Sequence, residues 1–330
     1  MFSWPESIDR DSAPRFARGL LEVGALATWL DHPKYVHERD RLIEYLRSSR
    51  YRFRRLEPIL FLCGGAASPR RDVLRNYLLK HFPALGVFYA ERVWEQIATR
   101  VAQGALEMEA NLAALADLVI VIVESPGTFT ELGAFSLSPE LRKKLLPIVD
   151  LQYKNHSSFI STGPLRWIDD DSNFAPTVYV PLTRILESVG EVEERIRRIP
   201  KSKTVKIMDL ATSPKHLLFF LCDLIAVIFP ATADTVEYYL AQIAPSIPTS
   251  GISVPTLIEL AVAMTLLRAK LVKINGGDER FFWPAALDAV DHPFHHPRLL
   301  DLPSQRAAHV SVLLTLPDAR TVLHDLGTAP

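Results

Sequence analysis

Apolar and polar positions follow two rhythms along this chain. Between residues 56 and 200, short apolar runs near 59–63, 86–89, 118–123, 145–149 and 176–180 alternate with stretches of helical spacing near 70–81, 91–115, 128–137 and 182–197. The run Leu118-Val-Ile-Val-Ile-Val123 has no polar member, the pattern of a parallel strand covered on both faces. Five such strands with helices between them predict an α/β domain built on a doubly wound parallel sheet, with right-handed crossovers.

The flanking sequence reads differently. Residues 14–50 have helical periodicity broken near Asp31-His-Pro33, which predicts two helices in an N-terminal segment, 1–55. The polar stretch Pro200-Lys-Ser-Lys-Thr204 ends the α/β pattern, so the middle domain spans 56–200 and a third region spans 201–330. Ser213-Pro214 supplies a cap and a first-turn proline for one helix. A second helix is expected from Thr232 to Ile243, and a third from Val254-Pro255 to Arg268. Leu271-Val-Lys-Ile and Arg280-Phe-Phe-Trp flank Asn275-Gly276, a hairpin signal. Three helices and a hairpin predict a winged helix. In the Pro- and His-rich stretch 290–330, only Val310 to Leu316 reads as an apolar element.

Composition narrows the function classes. The 330 residues are 48% hydrophobic and carry a net charge of −1, enough apolar content for real cores and no global field toward nucleic acid. Within 201–330, 11 Lys and Arg face 12 Asp and Glu. Cys63 and Cys222 lie far apart in apolar segments and read as buried thiols. Glu6, Asp9, Arg10 and Asp11 occupy the place of a signal-peptide core, and Asp223 interrupts the longest apolar run, Leu217 to Phe229. The expectation is a soluble, cytoplasmic protein that does not engage a membrane. His292, His295 and His296 sit among prolines without a Cys partner, so neither metal nor cofactor is expected.

The chemistry concentrates after the 118–123 run. Glu124-Ser-Pro-Gly-Thr-Phe-Thr-Glu131-Leu-Gly133 reads as strand, Pro-Gly turn and a helix opening at Thr128. Open α/β sheets bind ligands at such places, outside the carboxyl ends of their strands. Gly127 permits close backbone approach, Ser125 lies in the same turn, and Thr128 can cap the helix and leave amide groups facing an anion. Glu131 would then stand in the first helical turn, where a carboxylate can attack or stabilise a sugar carbon; the bland reading is a charge that steadies a helix N-terminus. Glu124 can accept ribose hydroxyls or move a proton, or be a solvated strand-end charge. Gly64-Gly65, followed by Ser68, Arg70 and Arg71, reads as a phosphate-handling loop or as a tight turn before a basic helix start. Asp117 reads as a turn residue, and Ser158 through Pro164 as a loop able to close over the crevice. Arg268, Lys270, Lys273 and Arg280 surround the predicted hairpin and can meet DNA or a protein.

These pieces carry a family resemblance. Gly127-Thr128-x-x-Glu131-Leu132-Gly133 resembles the active-site turn of nucleoside 2-deoxyribosyltransferases, and related phosphoribohydrolases share a similar Gly-Thr-x-x-Glu. Phe61-Leu-Cys-Gly-Gly65, Arg70-Arg71, Ala90-Glu91, Glu109 through Asp117, Glu124 through Phe135, Lys143-Lys144-Leu and Ser158 through Pro164 resemble, in order, the deoxyribosyltransferase-like effectors of bacterial retrons. The resemblance implies a flavodoxin-like strand order and N-glycosidic chemistry at Glu131. It implies Glu109 and Glu91 as site walls, and partnership with a reverse transcriptase and its RNA–DNA product (msDNA). It also implies an oligomeric assembly. The competing expectation is a non-enzymatic, nucleotide-sensing regulator that binds DNA.

Overall fold

A computed structural model describes residues 29–48, 52–53, 58–83, 85–89, 111, 115–200, 205–206, 210, 213–245, 252–274, 277–285 and 302–327. Glu91, Glu107 and Glu109 on the helix expected over 91–115, and His292, His295 and His296, lie outside these residues.

The apolar runs form a five-stranded parallel sheet. Its strands are β2 (Ile59–Cys63), β3 (Gly86–Phe88), β4 (Leu118–Val123), β5 (Leu145–Asp150) and β6 (Val178–Val180), in the order β3-β2-β4-β5-β6. Neighbouring side chains point to opposite faces. Leu60, Leu62, Leu118, Ile120, Ile122 and Ile148 face one way, against Leu74 and Leu78 of α2 (Pro69–His81) and Val192 and Ile196 of α6 (Val189–Arg198). Phe61, Val119, Val121, Val123 and Val149 face the other, with Leu132 and Phe135 of α3 (Pro126–Leu137). Cover on both faces is why β4 needs no polar residue.

Short α4 (Pro139–Arg142) links α3 to β5. The segment 158–164, expected as a loop, is helical from Phe159 and runs into α5 (Arg166–Asp171). Pro164, which has no N–H to donate, sits in a π-helical turn over Ser161–Leu165. The expected helix 182–197 is a 3-10 stretch, Leu182–Ser188, followed by α6.

The chain enters and leaves this sheet through an antiparallel pair, β1 (Arg52–Phe53) with β7 (Val205–Lys206). Beyond it come α7 (Pro214–Ile228), α8 (Ala233–Ile243), α9 (Val254–Ala263) and the hairpin β8 (Leu267–Ile274) with β9 (Gly277–Pro284). Ala231 bridges Phe282 as a further short rung. The third helix, expected to reach Arg268, ends at Ala263 because Thr265 turns left-handed (φ 60), so Arg268 lies on β8. Two helices follow, α10 (Leu302–Leu313) and α11 (Pro317–Asp325), where only one apolar element was expected. Helix α1 (Pro33–Arg47) joins this C-terminal group: Tyr35 Oη lies 3.1 Å from Tyr239 Oη on α8 and 3.0 Å from His309 Nδ1 on α10. Both cysteines are buried and neither forms a disulfide. Among the described residues no helix is long and apolar enough to cross a membrane.

Candidate active site

Strand order reverses between β2 and β4, so the chain leaves their carboxyl ends in opposite directions and opens a crevice there. Gly64 and Gly65 stand at the end of β2, Glu124 at the end of β4. Glu124 holds the two ends together. Its Oε1 accepts from the Gly65 N–H at 2.9 Å and its Oε2 from Arg70 Nη1 at 2.7 Å, with the side chain only 5% exposed. Burial alone would raise this carboxyl's pKa. Hydrogen bonds from Ser68, Arg70 and the Gly65 amide, with the Arg70 charge, outweigh burial and hold it below the ordinary value. A carboxylate so held stays ionised at neutral pH and is a poor proton donor.

The loop after β2 is compact. Ser68 caps α2 by accepting from the Arg71 N–H, Pro69 opens the helix, and Ala67 takes a left-handed conformation (φ 52). Arg70 spans the crevice edge, giving Nε to the Leu182 carbonyl at 3.0 Å while Nη1 holds Glu124. Arg71 turns inward and is 3% exposed, its guanidinium 4.3 Å from the centre of the Tyr89 ring. Tyr89 donates to Asp72 Oδ1 at 2.9 Å, and burial followed by that acid pushes its pKa up to about 12. A Cβ on Gly64 would stand 3.0 Å from Arg71 Cδ and 3.2 Å from Glu124 Oε1. The glycine is required there by close packing between strand, arginine and acid.

On the other side of the crevice, α3 starts two residues earlier than expected. Ser125 is its cap, Pro126 and Gly127 are its first residues, and Thr128, the third helical residue, closes a capping box with Ser125. Thr128 is wholly buried. Its Oγ1 accepts from the Glu124 and Ser125 N–H groups at 3.0 and 2.9 Å and donates to the Ser125 carbonyl at 2.8 Å. The threonine therefore shapes the turn from within. Glu131 consequently falls in the second helical turn, four residues after Gly127 and on the same face. The missing side chain at Gly127 leaves the space N-terminal to Glu131 open; a methyl at that position would meet nothing nearer than Ser125 Oγ, at 3.8 Å. Glu131 is half-buried, with Oε2 removed from solvent.

Two site features were not expected from sequence. Asp150 ends β5 as Glu124 ends β4, accepting from the Gln152 and Leu182 N–H groups at 3.1 and 3.4 Å. An acid closing an apolar run was the available signal. The Leu182 carbonyl, by contrast, belongs to the backbone and leaves no sequence mark. Asp117, at the start of β4, accepts from the Ile59 N–H at 2.8 Å and pairs with Lys215 of α7.

The residues expected to meet nucleic acid or protein are dispersed and partly engaged. Arg280 makes a two-pronged pair with Glu259 of α9, at 2.8 and 3.0 Å. Lys270 Nζ donates to the Asp325 carbonyl of α11 at 2.6 Å. Arg268 and Lys273 are exposed, and Lys273 stands across from Asp278 in the hairpin register. Among the described residues no cluster of His, Cys, Asp or Glu could hold a metal ion.

A family model described as the STM3845 retron effector protein matches residues 67–269. A proposed ribosyltransferase/DNA-binding protein of retron Ec73 from Escherichia coli is 37% identical over 125 residues, covering 36% of this chain and 40% of the relative. Its counterpart from retron Ec86 of the same organism is 37% identical over 134 residues, covering 39% of this chain and 43% of the relative. The chain thus spans about two-fifths of the length of the curated relatives it matches.

Proposed function

The chain belongs to the STM3845 retron effector family, and we propose that it is the toxic effector of a retron antiphage system, cleaving or transferring an N-glycosidic bond of a nucleotide-type substrate. The observation that supports this reading most is the place of Glu131 in the second turn of α3, the helix that starts at the carboxyl end of β4, four residues after Gly127; Glu124, at the end of β4, is bound to Gly65 and Arg70. The two acids then divide the work. As the N-glycosidic bond breaks, the base leaves with the bonding pair and takes a proton from water; Glu131 attacks the anomeric carbon or stabilises its oxocarbenium-like charge, and water or an acceptor base then takes the sugar. Glu124 positions the loop carrying Ser68 and Arg70. The ribosyltransferase description of the two Escherichia coli relatives supports sugar chemistry of this kind. The order β3-β2-β4-β5-β6 supports a flavodoxin-like sheet of the deoxyribosyltransferase type.

The three helices, the hairpin and the Ala231 rung support a winged helix. Its third helix is mostly buried, carries Glu259 and has no cation, and Arg280 is paired to that acid. Such a surface suits a protein more than a DNA groove. We assign it to docking on the retron reverse transcriptase, whose complex with its RNA–DNA product would restrain the effector. A non-enzymatic nucleotide sensor is the competing reading. Chromatography of released base or nicotinamide separates the two. Wild type and Glu131→Gln are incubated with deoxynucleotides, ribonucleotides and NAD, alone and with the reverse transcriptase complex. Release by wild type, lowered on the order of a thousandfold in the variant, is expected. Equal release by both, or none from wild type in either setting, would remove the enzymatic reading.

A further inference from the structure

A second concavity has Arg70, but not Glu124, among its lining residues. It lies between the start of α2 and the 3-10 stretch Leu182–Ser188, with a volume of about 660 Å³, in the range of small-molecule sites. Its walls are apolar: Pro69 and Val73 from α2, and Leu182, Ile185 and Leu186 from the facing stretch. Val73 and Leu186 are 42% and 45% exposed, so two large apolar side chains face water within a hollow. Arg70 also lines it, and its guanidinium is fixed by the Leu182 carbonyl and by Glu124.

We propose that this cleft binds a planar heteroaromatic ring, of the nucleobase or nicotinamide kind, against the Arg70 guanidinium. Aliphatic walls suit the faces of a flat ring, and a guanidinium held in place is a stacking surface that loses little freedom on binding. Arg184 and Glu187, paired at 2.8 Å on the rim, give a polar edge without placing a net charge in the hollow. Arg70 is common to both concavities, so a ring in the cleft bears directly on the residue that holds Glu124. The inference names a ligand class beside the proposed catalytic site and rests on that reading for its biological sense, not for its test.

The test is calorimetric titration of full-length Glu131→Gln with adenine and, separately, nicotinamide. Using that variant separates ring binding from bond cleavage, so either idea can fail alone. Saturable binding of at least one ring is expected, weakened about tenfold or more by Val73→Trp and by Leu186→Trp, which fill the cleft from half-exposed positions. Far-UV circular dichroism and unchanged melting of the two variants would show that the fold survives. Absence of binding at millimolar ring concentrations, or binding that both fillings leave unchanged, would overturn the proposal.

Discussion

At the scale of single residues, the crevice rests on fits measured in tenths of an ångström. Gly64 and Gly65 look equivalent in the sequence, yet their surroundings differ. A methyl on Gly64 meets Arg71 Cδ at 3.0 Å and Cβ at 3.1 Å, and that arginine cannot swing aside because its head is buried on Tyr89. A methyl on Gly65 meets nothing closer than Glu124 Oε1 at 3.5 Å, an ordinary contact. Gly64→Ala is therefore expected to cost about 1–3 kcal/mol and Gly65→Ala well under half of that, read from urea unfolding of both. Equal costs would count against this packing. Glu124 makes a second residue-scale prediction. Its folded-state pKa is depressed, so its contribution is fully present above the ordinary carboxylate value and is lost as pH falls through the lower folded value. Because Arg70 is 40% exposed, solvent screens part of that contribution. Melting curves of wild type and Glu124→Gln should converge below the ordinary carboxylate range and separate above it; a constant gap would contradict the assignment.

At the scale of elements, strands β2 and β4 are tied at both ends by acids. Asp117 accepts from Ile59 at their amino ends, and Glu124 accepts from Gly65 at their carboxyl ends. Asp117 adds a tie to Lys215, which is 9% exposed at the start of α7. Lys215→Met is expected to cost about 1 kcal/mol, since Asp117 keeps Ile59 and some water. Asp117→Asn is expected to cost about 2–3 kcal/mol, since it leaves a buried ammonium without its counter-charge. Chemical denaturation of the single and double variants gives both numbers and their coupling, and Asp117→Asn no costlier than Lys215→Met would undo the account. Much of this layer was legible beforehand. The five apolar runs became the five strands because β-sheet burial on two faces writes itself as unbroken apolar sequence. Boundaries set by local hydrogen bonding were less legible. The α3 start moved from Thr128 to Pro126 because Ser125 and Thr128 share the capping box, and α9 stopped at Ala263 because Thr265 turns left-handed. Of helix α10 only the end, from Val310, reads as an apolar element, because its apolar residues form no clear periodic stripe; α11 has no counterpart in the expected elements. The site's residue types were readable from their order in the chain. The Arg70–Glu124 tie, the inward turn of Arg71 and the capture of Arg280 by Glu259 are tertiary facts that no spacing reveals.

At the scale of the whole molecule, the chain's first described helix is built into its last region. Helix α1 has its own apolar stripe, Tyr35, Leu42, Ile43 and Leu46, which would be left open without α8 and α10 to cover it. Trp29 stacks near Phe281 of the hairpin, with ring centres 6.0 Å apart. Within this joint, Tyr35 Oη stands between Tyr239 Oη and His309 Nδ1, three polar groups from three helices in an apolar setting. His309 is wholly buried, and burial, with a smaller push from the Arg41 charge, lowers its pKa from 6.5 to about 4. The neutral imidazole is thus the folded-state form. Between about pH 6.5 and 4 the unfolded chain takes up a proton at this residue that the folded chain does not, so stability must fall as pH falls through that window and level off below it, by about 3 kcal/mol at most. The group facing the ring is Tyr35, whose own pKa is raised by burial and stays neutral throughout, so it does not confuse the titration. Urea unfolding of wild type and His309→Asn at closely spaced pH values isolates the effect, because every carboxylate titrates in both proteins. Wild type should lose ground to the variant between about pH 6.5 and 4, and parallel curves across that range would show that the joint between α1 and α10 is not held by a neutral histidine.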